Sequence, residues 1–246
     1  MKLNRILFAV AGTTLLACTL LTGCGSQPAS STVVPTPTPA PTAAPTPLPT
    51  PESLQIPVDF EEWQAKNADV YAWIKIDGTR IDYPVLRSET DNTYYLNHNL
   101  DGSKGYPGCI YSENFNTPDF SDPVTILYGH NMNPDKSEPM FHDLHEYRKS
   151  EDFLLENNEI LIYQPDRILH YQVYAAFVHT NAHLLYEFDF YNKDSYQSFL
   201  NKCAAAANVD DSLAPTTDDR LVVLSTCTGV DTQRLLVVGV LMEDER

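Results

Sequence analysis

Eight prolines stand at near-alternate positions in one short stretch: Pro35, Pro37, Pro39, Pro41, Pro45, Pro47, Pro49 and Pro51. Each removes a backbone donor and fixes φ, so neither a helix nor a sheet ladder can form there. Residues 25–53 therefore read as a linker. In polyproline conformation, at ~3.1 Å per residue, it makes a stiff spacer of about 50–80 Å. Whatever folds has to be built from 54–246.

The segment before the linker reads as an export signal. Lys2 and Arg5 precede the apolar run "ILFAVAGTTLLACTLL", which ends in "LTGC" at 21–24. Leu-Thr-Gly-Cys matches the pattern at which bacterial lipoproteins are cleaved and lipidated, with Cys24 as the modified residue. The alternative is an uncleaved membrane anchor, since residues 6–24 approach the ~20 positions that span a bilayer. Both readings put the folded part on the extracytoplasmic face of the membrane, tethered by its N-terminus.

Charge narrows the partners. The chain carries a formal charge of −17, and after residue 24 only 14 basic side chains face 33 acidic ones. Such a surface has no basic stripe to displace counterions, which excludes nucleic acid as a partner. A cationic or zwitterionic peptide is compatible with it.

Within 54–246, Phe60, Trp63, Val70 and Trp73 lie at roughly helical spacing, which predicts one or two helices across 58–72. The pattern then turns to strands. Asp77-Gly78 marks a turn between two short ones, and further strands are predicted at 107–113, 124–129, 159–164, 169–179, 221–226 and 234–242. Helices fit 140–148 and 194–207, the second with Tyr196, Phe199, Leu200 and Cys203 on one face. About eight short strands with few helices suggest a mainly β protein, a closed or nearly closed barrel with helical decorations.

Three cysteines lie beyond the export signal: Cys109, Cys203 and Cys227. An odd number in an exported chain flags a free thiol. Cys109 in a strand and Cys203 on a helix face read as packed core, with a disulfide between them left open. Cys227 differs, because it ends an apolar run among Ser225, Thr226, Thr228 and Gly229, small residues that admit a substrate backbone. A thiol of ordinary pKa needs a neighbouring charge or base to attack well. An antiparallel pairing of 221–227 with 234–240 brings Arg234 to the same end of the sheet, although an ordinary hairpin with a structural cysteine fits this stretch too. His130 follows an apolar strand in "VTILYGHNM", where a side chain is displayed at the strand end. His142 and His145 sit at i, i+3 without a third ligand and read as a solvated helix face. His170 and His179 read as structural. No metal or cofactor is called for.

"LSTC" at a strand end, an arginine opening the next strand, and "YGHNM" about a hundred residues earlier together resemble the sortases, cysteine transpeptidases that attach proteins to Gram-positive cell walls. The order "IDYPVL", "DNTYYLNHNLDG", "YGHNM…PMFHDLHEYR" is similar to class B in particular, over roughly 58–244. So is a helix inserted before the cysteine-bearing strand, together with an N-terminal helical extension. The resemblance implies a sortase-type barrel in which Cys227 attacks the threonine carbonyl of a C-terminal sorting signal on a surface protein. His130 then moves the proton, and Arg234 stabilises the oxyanion. An amine on a cell-wall precursor or a pilin would accept the acyl group. Asn92, Leu96, Ser225 and Thr226 match positions lining the substrate groove, and the domain is expected to be monomeric. Two features depart from the class: Gly229 stands where some relatives carry an acid, and the tether is a lipobox with a proline spacer. Asp231, the nearest acid, receives no role. A secreted cysteine peptidase using water, or an inactive surface-binding lipoprotein, are the alternatives.

Overall fold

Asp59 opens the first helix, α1 (Phe60–Lys66): its carboxylate accepts the Glu62 N–H at 3.0 Å. Glu61 and Glu62 in the first turn and Lys66 in the last complement the helix dipole. The computed structural model describes residues 54–246. The export segment 1–24, the lipidation of Cys24 and the linker 25–53 lie outside them. The helix is shorter than the spacing predicts, because Asn67 turns extended and Val70 already begins β1 (Val70–Lys75). There Val70, Ala72 and Ile74 alternate inward, a period of two that two flanking strands enforce.

The chain continues through β2 (Asp82–Leu86), a 3₁₀ turn at Tyr94–Leu96, β3 (Ile110–Tyr111) and β4 (Val124–Tyr128). Two short helices, α2 (Leu144–Lys149) and α3 (Glu151–Glu156), precede β5 (Glu159–Gln164) and the long β6 (Arg167–Thr180). Then come α4 (Leu184–Glu187), α5 (Lys193–Ala204), β7 (Asn208–Val209), β8 (Leu221–Cys227) and β9 (Gln233–Glu245). Hydrogen bonding runs β1–β2–β3–β4–β8–β9–β6–β5, and β5 returns to β1. This closes an eight-stranded barrel with no open edge in the cycle. The short β7 adds to β6 outside it. Most pairs are antiparallel, while β2–β3 and β4–β8 are parallel.

The apolar runs of β8 and β9 are continuous because both faces are covered. Val222, Leu224, Leu235 and Val237 fill the barrel interior with Ile74, Ile162 and Leu169. Leu221, Val223, Leu236 and Val238 pack outward under Tyr196, Phe199, Leu200 and Cys203 of α5. Each such Val or Leu stabilises the fold by about 1.5–3 kcal/mol when fully buried. These two strands, buried on both faces, carry Cys227 and Arg234 at their ends.

Candidate active site

Strand register brings the three chemical residues together. In the parallel pair β4–β8, Tyr128 lies beside Ser225. Carried two residues further, that register sets His130 alongside Cys227. The junction is stitched by Gly129 N–H donating to Ser225 O at 3.2 Å and Thr226 Oγ1 donating to Gly129 O at 2.8 Å. In the antiparallel pair β8–β9, Cys227 stands directly opposite Arg234. The tight β8–β9 turn between them uses Gly229 at φ +90°, a conformation that side chains other than glycine's rarely adopt.

All three residues line one cleft of about 220 Å3. His130 Nε2 lies 2.7 Å from Leu96 O, which makes Nε2 the protonated nitrogen and leaves Nδ1 as the ring's basic atom in the neutral form. Tyr106 packs its ring edge-on to the imidazole at 5.1 Å between centroids. Arg234 uses Nη1 to donate to Gln233 O at 2.8 Å and Asp231 O at 3.3 Å. Those bonds orient the planar guanidinium while Nε and Nη2 remain for an oxyanion or a substrate carbonyl. Cys227 is half-buried, whereas Cys109 and Cys203 are buried and unpaired, which settles their pairing as free thiols. Burial pushes both of those thiols up to about 12, so neither ionises near neutrality. Tyr111 and Tyr128 stack at 5.4 Å on the cleft wall. Burial first, then the charge of Glu113, holds both phenols far above their ordinary value.

Leu96, Ser225 and Thr226 line the same cleft. Asn92 does not; its Oδ1 instead accepts the Asn114 N–H at 2.7 Å and braces the neighbouring loop. Two histidines on the cleft wall carry no motif that would have announced them. His179, read as structural, pairs with Glu187 at 3.0 Å, and that carboxylate also holds Lys202 at 2.8 Å. His183 sits 2.6 Å from Glu113, which also accepts from Tyr128 OH at 3.2 Å. Together they fasten the 180–184 wall to the barrel. His145 is buried rather than solvated, and it reaches the Cys227 carbonyl.

The family model for the sortase domain matches residues 74–242. Sortase B of Listeria monocytogenes is 32% identical over 169 residues, covering 69% of this chain and 67% of that protein. Among solved structures, Clostridium perfringens sortase B superposes with a TM-score of 0.67 at 26% identity, covering 75% of this chain and 100% of that one. A Staphylococcus aureus sortase B–substrate complex matches with a TM-score of 0.65 at 29% identity, covering 75% of this chain and 84% of that one.

Proposed function

The chain belongs to the sortase family, within its class B, and on that premise we propose that Cys227, His130 and Arg234 transfer a threonine-containing C-terminal sorting signal to an amine. Sortases are cysteine transpeptidases, so the reaction has two halves. Cys227 Sγ passes its proton to His130 and bonds to the threonine carbonyl carbon, the C–N bond breaks, and His130 delivers that proton to the departing amine. The acyl group then rests as a thioester. An incoming amine attacks it, His130 takes the amine's proton, and the C–S bond breaks as His130 gives that proton back to Sγ, which returns the thiol. Arg234 stabilises the oxyanion of both tetrahedral intermediates, with the Thr228 backbone N–H as second donor.

The observation that carries this reading is the β4–β8–β9 register, which gathers a base, a thiol and a guanidinium at adjacent strand ends. The acceptor we propose is an amine of a cell-wall precursor or a pilin. The site acts on the extracytoplasmic face of the membrane, as a monomer, lifted by the linker from an anchor at Cys24. Intact mass of membrane-extracted protein checks that anchor. A chain beginning at lipidated Cys24 supports it, and an unmodified Met1–Arg246 chain means an uncleaved apolar anchor.

The reaction itself is tested with threonine-containing sorting peptides and amine acceptors. Arg234→Lys keeps the charge but loses the planar fork. It should lower turnover by about 10²–10³, the usual effect of losing one oxyanion donor, with the fold unchanged. Full activity in that variant contradicts the role given to Arg234.

A further inference from the structure

His145 and Asn131 converge on one atom that the reaction as described leaves unused, the backbone oxygen of the nucleophile. His145 Nε2 lies 3.0 Å from Cys227 O, and Asn131 Nδ2 lies 3.1 Å from the same oxygen. His142 Nδ1 stands 2.6 Å from Asn131 Oδ1, fixing which way that amide faces. We infer that Asn131 and His145 are positioning residues for Cys227, with His142 orienting Asn131. This inference rests on the sortase reading of the cleft.

Hydrogen-bond inventory supports the assignment. A carbonyl oxygen accepts two bonds, and here both lone pairs meet a side-chain N–H. For His145 to donate it must carry its proton on Nε2. Asn131 Nδ2 at 3.0 Å from that nitrogen is then a second donor to a shared acceptor. His145 is only 8% exposed, and burial lowers its pKa, which favours the neutral ring with a single N–H. The platform beneath it is firm. Leu144 and Tyr147 of α2 are fully buried in the barrel core. Asp143, just before α2, takes the Arg80 backbone N–H at 2.9 Å and Nε at 2.8 Å.

Two consequences follow from covalent geometry. The 227–228 peptide is planar and trans, so pinning its oxygen also pins the Thr228 N–H on the opposite side. Both the thiol's backbone and an oxyanion donor are thereby aimed by α2 and the His130 loop. Asn131 also follows His130 directly, so one bond couples the base-bearing loop to the nucleophile's own peptide.

The test uses the full chain in detergent and single-turnover acylation by a threonine sorting peptide. His145→Ala and Asn131→Ala should each lower the acylation rate constant at saturating peptide by about tenfold to hundredfold, the scale of a misplaced reacting group. Half-saturation should stay within about twofold, because the groups touch no substrate. His145→Gln should restore most of the rate, since its amide nitrogen reaches the Nε2 position and donates. Rates in both alanine variants within about twofold of wild type, or a loss confined to half-saturation, overturn the inference. A second readout needs no substrate. With 13C′-cysteine and 15N-threonine labels, only Cys18–Thr19 and Cys227–Thr228 give a carbonyl–nitrogen correlation. The Cys227 carbonyl resonance should move upfield in both alanine variants as it loses a donor, and an unmoved resonance overturns the network. If wild type never acylates while that resonance still moves, the sortase chemistry fails and the network stands.

Discussion

Gly129, between the last residue of β4 and His130, has no room for a methyl group, and Gly129→Ala measures how tightly packing holds the base. A Cβ there would lie 2.4 Å from Ile110 Cδ1 and 2.7 Å from Phe141 Cδ2. Carbon atoms prefer about 3.5–4.0 Å, so the Ile110 methyl and the Phe141 ring must each retreat by roughly 1 Å. Neither has space, since Ile110 is 1% exposed and Phe141 0%. Overpacking of this kind costs about 1–3 kcal/mol. At about 2–4 °C per kcal/mol for a domain of this size, the melting temperature should fall by roughly 2–12 °C. The strain also reaches chemistry, because Phe141 N–H donates to His130 O at 2.9 Å. Acylation should therefore slow even below the melting range. Calorimetry of the variant and of Ile110→Val, which deletes the crowded Cδ1, separates the causes. Ile110→Val alone should destabilise by about 0.5–1.5 kcal/mol. In the double variant the losses should sum to less than the two singles, with a coupling of at least about 0.5 kcal/mol. A Gly129→Ala protein that melts within about 1 °C of wild type, or strictly additive losses, would refute the packing argument.

Other predictions probe the surroundings. The Arg80 guanidinium holds the Asp143 carboxyl below its ordinary range. A depressed folded-state pKa gives stability that is complete above the unfolded value of ~3.9 and is lost as pH falls through the folded one. The denaturant-midpoint gap between wild type and Asp143→Asn should thus be constant from about pH 5 to 8 and close on acidification; a gap that persists in acid contradicts the pairing. In fragment 54–246, iodoacetamide at neutral pH should label Cys227 alone, because burial raises Cys109 and Cys203 to about 12. Labelling of either buried thiol in the native state would show that the core opens.

The barrel and the three proposed catalytic positions were legible for different reasons. Two β-branched runs around a five-residue turn announce the β8–β9 hairpin by themselves, and burial on both faces explains their unbroken apolarity. His130, Cys227 and Arg234 stood out because display at strand ends and the order of motifs are local signals. The start of β1 was not legible. Phe60, Trp63, Val70 and Trp73 mimic a helical stripe, and only pairing with β2 and the distant β5 makes Val70–Lys75 a strand. His145 and Asn131 failed for the same reason, since their acceptor lies 82 and 96 residues away in the chain. Spacing within a short helix could not distinguish a solvated histidine from one aimed at a strand end. Asn92 matched a motif position but stands outside the cleft, its amide committed to Asn114.

In the proposed reaction Cys227 carries the acyl group between a sorting signal and an amine. The most direct test is the intact mass of the enzyme quenched during turnover of a threonine sorting peptide, with and without an amine acceptor. The quenched enzyme should carry an adduct equal to the peptide up to its threonine, mapped to Cys227 and absent in Cys227→Ala. Added amine should discharge it into a peptide–amine product in preference to hydrolysis. Cleavage without any adduct, or undiminished cleavage by Cys227→Ala, would contradict the claim. An adduct that only water can discharge would make the protein a peptidase.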